Sequence, residues 1–85
     1  MPPVTIYTTT LCPYCHAAKS LLKQKAVPFD EIDISGRPEE RGVLRAKAGG
    51  RTSVPQIWVG DTHVGGCDDL YALETTGRLD ALLNA

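Results

Sequence analysis

Two cysteines separated by two residues are the part of this sequence best suited to chemistry. Cys12 and Cys15 flank Pro13 and Tyr14, and residues three apart on a helix face the same way, with Cβ atoms roughly 5–6 Å apart. A small rotation of the side chains brings such a pair within the Cα separation of about 4.4–6.8 Å that is usual for a disulfide. The spacing therefore predicts a redox dithiol that opens and closes with little backbone movement.

The two sulfurs are expected to differ in reactivity. Pro13 suits the first turn of a helix, so Cys12 lies at the helix N-terminus, where unpaired N–H groups and the positive end of the helix dipole favour a thiolate. Cys15 lies one turn further along and faces the core. We therefore predict Cys12 as the nucleophile and Cys15 as the resolving thiol, with Tyr14 as an aromatic wall beside the reacting sulfur.

The elements that must position this pair follow from the hydrophobic periodicity. Four strands are predicted, at residues 4–8, 29–34, 56–59 and 62–64. Helices are predicted at residues 13–26, from about 38 to 48, from about 67 to 76 and, as a short terminal element, at 78–83. A helix between the first two strands implies a parallel pair, and the turn at Gly60-Asp61 implies an antiparallel hairpin. The order predicts one α/β domain over residues 1–85, with a four-stranded mixed sheet flanked by three to four helices.

Composition narrows the class of protein. The 85 residues carry a formal charge of −1, with 42% hydrophobic and 22% charged residues, which suits a small folded domain and offers no basic surface for nucleic acid. No segment has the length of a membrane span or the features of a signal peptide. Three cysteines suit a reducing compartment better than a secreted disulfide framework. We expect a monomeric cytoplasmic protein without a metal site.

Two further loops contain residues that suit substrate binding. Pro55 precedes an apolar strand, and a cis Val54–Pro55 bond would turn the Val54 backbone outward, where an extended peptide can pair with it. A trans proline that opens an edge strand is the other interpretation. Gly66 precedes a helix whose N-terminus can bind a carboxylate, while Asp68 or Asp69 accepts from an ammonium group. The same aspartates can instead cap the helix.

These motifs, in this order, resemble the glutaredoxin family over nearly the whole chain. The resemblance is carried by Tyr7-Thr8, Cys12-Pro13-Tyr14-Cys15, Thr52-Ser53-Val54-Pro55-Gln56-Ile57 and Gly65-Gly66-Cys67-Asp68-Asp69-Leu70, and it is closest to the small bacterial dithiol glutaredoxins. It implies a thioredoxin fold, a cis Pro55, and glutathione as co-substrate with no permanently bound cofactor. It also implies a glutathione site that includes Tyr14, Ser53, Val54, Pro55, Gly66, Cys67 and Asp68.

One departure from the family pattern concerns a charge. Many members carry a lysine just before the first cysteine, near Thr9, that meets the glycyl carboxylate of glutathione. This sequence has a run of threonines there. Arg41 is our first candidate to replace the missing charge, and Arg51 is the second. Ser53 stands where threonine is commoner, a change from which we expect little consequence.

The resemblance implies a glutathione-dependent thiol–disulfide oxidoreductase. The Cys12 thiolate would attack a protein–glutathione mixed disulfide and release the protein thiol, and a second glutathione would regenerate Cys12. For protein disulfides, Cys15 would resolve the intermediate, and glutathione would then reduce the oxidised pair. The implied partners are glutathione and proteins that are disulfide-bonded or glutathionylated.

Other interpretations of the cysteines stay open at this point. The sequence Cys12-x-x-Cys15-His16 also matches covalent haem attachment, which usually accompanies export. Together with His63 and Cys67, the two cysteines provide enough ligands for a zinc site. Some glutaredoxins bridge an iron–sulfur cluster, although those usually have glycine or serine beside the first cysteine, where this chain has proline. A redoxin reduced by thioredoxin reductase instead of glutathione is a further alternative.

Overall fold

The computed structural model describes all 85 residues. Its elements, in chain order, are β1 (Val4–Thr8), α1 (Pro13–Gln24), β2 (Asp30–Asp33), α2 (Pro38–Lys47), β3 (Gln56–Val59), β4 (Thr62–Gly65), α3 (Cys67–Thr75) and α4 (Arg78–Leu83). The predicted order of elements is confirmed, including the terminal helix. Strand β2 is shorter than predicted, because only four of its residues pair with β1. None of the helices has the length and apolar character needed to cross a membrane.

The four strands form one mixed sheet in the order β2-β1-β3-β4. Strand β1 pairs in parallel with β2 and antiparallel with β3, and β3 pairs antiparallel with β4. The predicted four-stranded mixed sheet is therefore confirmed. Because β1 and β3 run in opposite directions, with Tyr7 opposite Gln56, the end of β1 lies beside the start of β3. This register brings the Cys12 loop next to Pro55.

Alternation along the central strands divides the core between the two faces of the sheet. On one face, the strand residues Val4, Ile6, Ile57 and Val59 pack with apolar side chains of α1, α3 and α4. On the other face, Tyr7 and Trp58 pack with Ile34, Leu44 and Ala48, of which Leu44 lies on α2. Helices α1 and α3, which contain Cys15 and Cys67 respectively, therefore share one face of the sheet, and α2 covers the other.

Helix α1 ends two residues earlier than predicted. Its last residue is Gln24, and Ala26 has a φ of +56°. The N–H of Val27 donates to the carbonyl oxygen of Leu22 at 2.9 Å, and the N–H of Ala26 donates to that of Lys23 at 3.0 Å. These two hydrogen bonds form a Schellman motif, in which glycine usually occupies the left-handed position. Here alanine occupies it, so no glycine in the sequence indicates the helix end.

Replacing Ala26 with glycine is expected to raise the free energy of unfolding by up to about 1 kcal/mol. A left-handed conformation costs a residue with a Cβ atom about 1–2 kcal/mol, and the greater entropy of glycine in the unfolded chain offsets part of that gain. Urea denaturation followed by circular dichroism measures the change. Ala46→Gly, at an exposed position of α2, is the matched control and should lower stability by roughly 1 kcal/mol. Equal destabilisation by both variants would contradict the prediction.

Candidate active site

The two motif cysteines lie where β1 leads into α1. Cys12 is the N-cap residue of α1, and its Sγ accepts a hydrogen bond from the N–H of Cys15 at 3.1 Å. Both residues are free thiols, with Cys12 7% exposed and Cys15 1% exposed. A sulfur that accepts from the first turn of a helix is in a position that stabilises negative charge on it. The helix start therefore suits Cys12 for nucleophilic attack.

Burial makes Cys15 the poorer acid of the pair. Its removal from water, reinforced by its hydrogen bond with Cys12, raises the pKa of Cys15 from its ordinary value near 9 to about 12. Only a thiolate attacks a disulfide. Reduced Cys15 is therefore protonated at neutral pH, and this burial distinguishes the two sulfurs chemically.

The loop before β3 faces the cysteine pair. The Val54–Pro55 peptide bond is cis, as the resemblance implied. The thiol of Cys12 donates to the carbonyl oxygen of Val54 at 3.8 Å. The antiparallel register of β1 and β3 produces this contact, since it sets the two loops side by side at one end of the sheet. An extended backbone segment at this place lies within reach of the reacting sulfur.

A cavity of about 460 Å³ lies beside this contact. Its wall contains an arginine, a carboxylate, a hydroxyl group, aromatic rings and backbone groups, a mixture typical of sites for small polar ligands. The lining residues are Tyr14, Arg51, Ser53, Val54, Pro55, Gly66, Cys67, Asp68 and Tyr71. The structure thus brings seven residues of the expected glutathione site into one wall, beside Cys12.

The two candidate arginines lie in different places. Arg51 lines the cavity and is its only basic residue. Arg41 lies in a separate hollow of about 480 Å³, together with Arg37 and Arg45. The reason is the position of α2, which packs through Leu44 on the opposite face of the sheet from α1 and α3. Of the two candidates, Arg51 therefore lies in the cavity beside Cys12, and Arg41 does not.

The two aspartates at the start of α3 differ in their contacts, since one caps the helix and the other lines the cavity. The N–H of Gly66 donates to Asp69 Oδ2 at 2.9 Å, so Asp69 caps the helix, as the structural interpretation of this loop predicted. Asp68 lines the cavity instead. Gly65 has a φ of +112°, and a Cβ atom there would clash with the Asp69 carboxylate. Glycine at this position therefore lets the capping carboxylate lie against the backbone.

Tyr71 is a cavity residue that the sequence analysis missed. Its hydroxyl donates to the carbonyl oxygen of Ala17 at 3.2 Å, and this bond joins α3 to α1. Tyr71 follows Cys67 by four residues, which places both on one face of α3. This spacing could have identified Tyr71 from the sequence, because a cavity wall that contains Cys67 continues along α3 to the residue one turn later.

The threonines before Cys12 attach the active-site loop to β2 and the residues after it. Thr8 Oγ1 donates to Glu31 Oε2 at 2.7 Å, and the N–H of Thr10 donates to Ser35 Oγ at 2.8 Å. The hydrogen bond from Thr8, followed by that from Lys19, lowers the pKa of Glu31. These residues build the loop, and no positive charge stands at Thr9, where many glutaredoxins carry lysine.

The four residues considered for zinc do not come together. No group of three or more histidine, cysteine, aspartate or glutamate side chains could hold a metal ion. The His63 ring instead stacks on Trp58, with centroids 4.4 Å apart, and its Nε2 lies 2.7 Å from Gln56 Oε1. Partial desolvation, followed by the positive charge of Arg51, lowers the pKa of His63. His63 is therefore engaged with Trp58 and Gln56 and not with the cysteines.

Comparison with known proteins agrees with this geometry. The sequence model of the Glutaredoxin family matches residues 4–64, a range that includes β1, the cysteine pair, the cis-proline loop and all but the last residue of the β3–β4 hairpin. The chain belongs to the glutaredoxin family. It is accordingly a thiol–disulfide oxidoreductase with a thioredoxin fold, as the resemblance implied.

Individual glutaredoxins are similar along almost the full length. A glutaredoxin of Pseudomonas aeruginosa is 65% identical over 85 residues, covering 100% of both chains. The solution structure of a glutaredoxin from Brucella melitensis is 54% identical, with a TM-score of 0.85 over 98% of this chain and 89% of that one. A crystal structure of a buckwheat glutaredoxin–glutathione complex is 26% identical, with a TM-score of 0.88 over 98% of this chain and 77% of that one.

Proposed function

We propose that this glutaredoxin uses glutathione to reduce protein disulfides and protein–glutathione mixed disulfides. The observation that carries the proposal is the cavity wall, where Arg51 and Asp68 supply opposite charges beside the loop that contacts Cys12. Glutathione is a tripeptide with a carboxylate at each end, an ammonium group at one end and a thiol in the middle. The cation complements one carboxylate, the anion complements the ammonium group, the N-terminus of α3 complements the other carboxylate, and the nucleophilic sulfur faces the thiol. The buckwheat relative in complex with glutathione supports the same ligand.

The γ-glutamyl end is assigned to the start of α3. Its ammonium group meets the Asp68 carboxylate, and its carboxylate meets the unpaired N–H groups of the first helical turn, at Cys67 and Asp68. Gly66 is buried there and lies close to the carbonyl oxygen of Pro55. This helix start and the cis-proline loop therefore line the same wall.

The central and glycyl parts are assigned to the other side of the cavity. The backbone of Val54 pairs with the cysteinyl residue as a short extended strand would, which holds the glutathione sulfur near Cys12. Tyr14, with 70% of its surface exposed, flanks this sulfur. Arg51 meets the glycyl carboxylate, and Ser53, two residues further along, lines the same cavity wall.

Each complete turn of the proposed cycle transfers two electrons from glutathione to the disulfide substrate. The Cys12 thiolate attacks the glutathione sulfur of a mixed disulfide, the old S–S bond breaks, and the protein leaves as a thiolate that takes a proton from water. A second glutathione thiolate then attacks the bound glutathione, which releases oxidised glutathione and the Cys12 thiolate. With a protein disulfide, the Cys12 thiolate attacks one protein sulfur, the protein S–S bond breaks, and the other protein sulfur leaves as a thiolate. Cys15 then gives up its proton to water and attacks the Cys12 sulfur, which forms the Cys12–Cys15 disulfide and releases the reduced protein. Two glutathione molecules then reduce the Cys12–Cys15 disulfide.

The cycle requires a pool of reduced glutathione, which the cytosol maintains. The reduction potential of that pool is comparable with the potentials of glutaredoxins, about −200 to −230 mV. We therefore place the protein in the cytoplasm. A monomer suffices for the cycle, because one chain provides both sulfurs and the whole cavity wall.

Turnover of a glutathionylated peptide tests the proposal. The purified protein is assayed with glutathione, glutathione reductase and NADPH, and in parallel with thioredoxin reductase and NADPH. We expect NADPH consumption that depends on glutathione and saturates with the peptide. Turnover with thioredoxin reductase alone would contradict the proposal and favour the other redoxin class.

Arg51→Ala is expected to raise the Michaelis constant for the glutathionylated peptide by about 5- to 10-fold, because a hydrogen bond to a charged group contributes about 1.5 kcal/mol or somewhat less at an exposed site. The value of kcat should change little, since the arginine contacts a part of the ligand that does not react.

Two further variants complete the arginine experiment. Arg78→Ala removes an exposed positive charge from α4 and should leave the Michaelis constant unchanged. Arg41→Ala tests the candidate on α2. An increase of the Michaelis constant with Arg41→Ala but not with Arg51→Ala would assign the carboxylate partner to α2 and contradict the prediction.

A further inference from the structure

Gln56 is a fully buried polar side chain directly behind the cis-proline loop. Its exposed fraction is 0%, and it is the first residue of β3. Its Nε2 donates to Ser53 Oγ at 3.2 Å, and its Oε1 lies 2.7 Å from His63 Nε2. Burial of an amide is unfavourable unless such bonds replace its contacts with water. A chain of three hydrogen-bonded side chains therefore runs from the edge strand β4 to the cavity wall.

The orientation of the Gln56 amide determines what Ser53 offers to a ligand. When Nε2 of the amide donates, the serine hydroxyl accepts one hydrogen bond and keeps its own O–H for another partner. Gln56 is the only protein group that bonds to this hydroxyl, and Ser53 lines the cavity. If the amide were reversed, the serine would donate to Gln56 and lose that proton as a donor to the cavity.

The tautomer of His63 that carries its proton on Nε2 favours the orientation that leaves the serine donor free. Stacking on Trp58, with an interplanar angle of 14°, holds the imidazole ring in place. A proton on Nε2 makes this nitrogen a donor, and it then requires the amide oxygen, not the amide nitrogen, to face it. The other end of the amide, which carries the N–H groups, is consequently directed at Ser53.

We propose that Gln56 and His63 are positioning residues that keep the Ser53 hydroxyl available as a hydrogen-bond donor to a carboxylate of the bound glutathione moiety. Neither residue lines the cavity, so both act through Ser53. This inference rests on the proposed function, because it requires an anionic ligand in the cavity.

Gln56→Glu tests the inference directly. The introduced carboxylate only accepts hydrogen bonds, so it accepts from both His63 and Ser53 and withdraws the serine proton from the cavity. We expect the Michaelis constant for a glutathionylated peptide to rise about fivefold, as loss of a hydrogen bond worth about 1 kcal/mol implies. The value of kcat should stay within about twofold, because the chain does not touch the reacting sulfurs.

A double-mutant cycle separates action through Ser53 from a general structural effect. Ser53→Ala alone should raise the Michaelis constant by a similar factor, and Gln56→Glu should add nothing in the Ser53→Ala background. Gln24→Glu, at the exposed end of α1, introduces the same charge outside the cavity and should have no effect.

A second variant keeps the inference testable if Gln56→Glu does not fold. His63→Phe keeps an aromatic ring on Trp58 and removes the Nε2 donor, and its position is exposed. His63→Phe should raise the Michaelis constant about two- to threefold, which corresponds to roughly 0.5 kcal/mol. This increase should appear only when Ser53 is present. Additive effects, or an unchanged Michaelis constant in these variants, would overturn the inference. Absence of glutathione-dependent turnover in the unmodified protein would instead overturn the proposed function.

Discussion

Cys12→Ser is expected to abolish disulfide reduction, with kcat/KM falling at least about 10³-fold for every substrate. The reaction requires a sulfur nucleophile, and a serine hydroxyl at the same N-cap position is neither ionised at neutral pH nor able to form a disulfide. Cys15 does not replace it, because it is 1% exposed and burial raises its pKa to about 12. Glutathione-dependent NADPH consumption with a glutathionylated peptide measures the loss.

The fold of the Cys12→Ser variant should be preserved. Serine is a favoured N-cap residue and can accept the N–H of Cys15 that the sulfur now accepts. Thermal unfolding followed by circular dichroism should therefore give a midpoint close to that of the unmodified protein. A folded Cys12→Ser variant that retained a tenth of the activity would contradict the assignment of the nucleophile.

Cys15→Ser is expected to separate the two proposed reactions. Reduction of a protein disulfide should fall at least about 100-fold, because the intramolecular attack on the mixed disulfide has a high effective concentration that no external thiol replaces. Turnover of a glutathionylated peptide should persist, since a second glutathione completes that cycle without Cys15. The two rates are measured in parallel on the same preparation, with glutathione held at one concentration.

Mass spectrometry provides an independent check on the roles of the two thiols. The Cys15→Ser variant mixed with oxidised glutathione should carry one glutathione, on Cys12. In the unmodified protein at neutral pH, iodoacetamide should label Cys12 before Cys15, because the Cys15 thiol is both buried and protonated. Equal labelling of the two thiols, or equal loss of both reactions in Cys15→Ser, would contradict the assigned roles.

The asymmetry of the pair shows why one helix start provides a redox catalyst. Cys12 lies at the surface end of α1 beside the carbonyl oxygen of Val54, within reach of a substrate disulfide. Cys15 lies one turn inside, where loss of hydration disfavours its thiolate. The same helical spacing that brings the sulfurs together therefore leaves Cys12 at the helix N-terminus and Cys15 buried in the first turn.

Local sequence patterns predicted the order of elements, the start of α1 at Pro13 and the N-terminal position of Cys12. These features depend on neighbours within a turn or a strand, through helix capping, proline geometry and alternation of apolar residues. The end of α1 was wrong by two residues because Ala26 occupies a left-handed position without glycine. The family resemblance added the cis Val54–Pro55 bond, which the structure contains.

Contacts across the sheet required the folded structure. The choice of Arg51 over Arg41 follows from the face on which α2 packs, and Tyr71 enters the cavity wall because α3 lies against α1. The hydrogen bonds of Gln56 to Ser53 and His63 join a loop to the edge strand β4. No pattern within a single element encodes these distances, since they depend on strand register and on how the helices pack. The Cys12–Cys15 spacing thus indicated the chemistry of the protein, and the tertiary packing determined which side chains surround it.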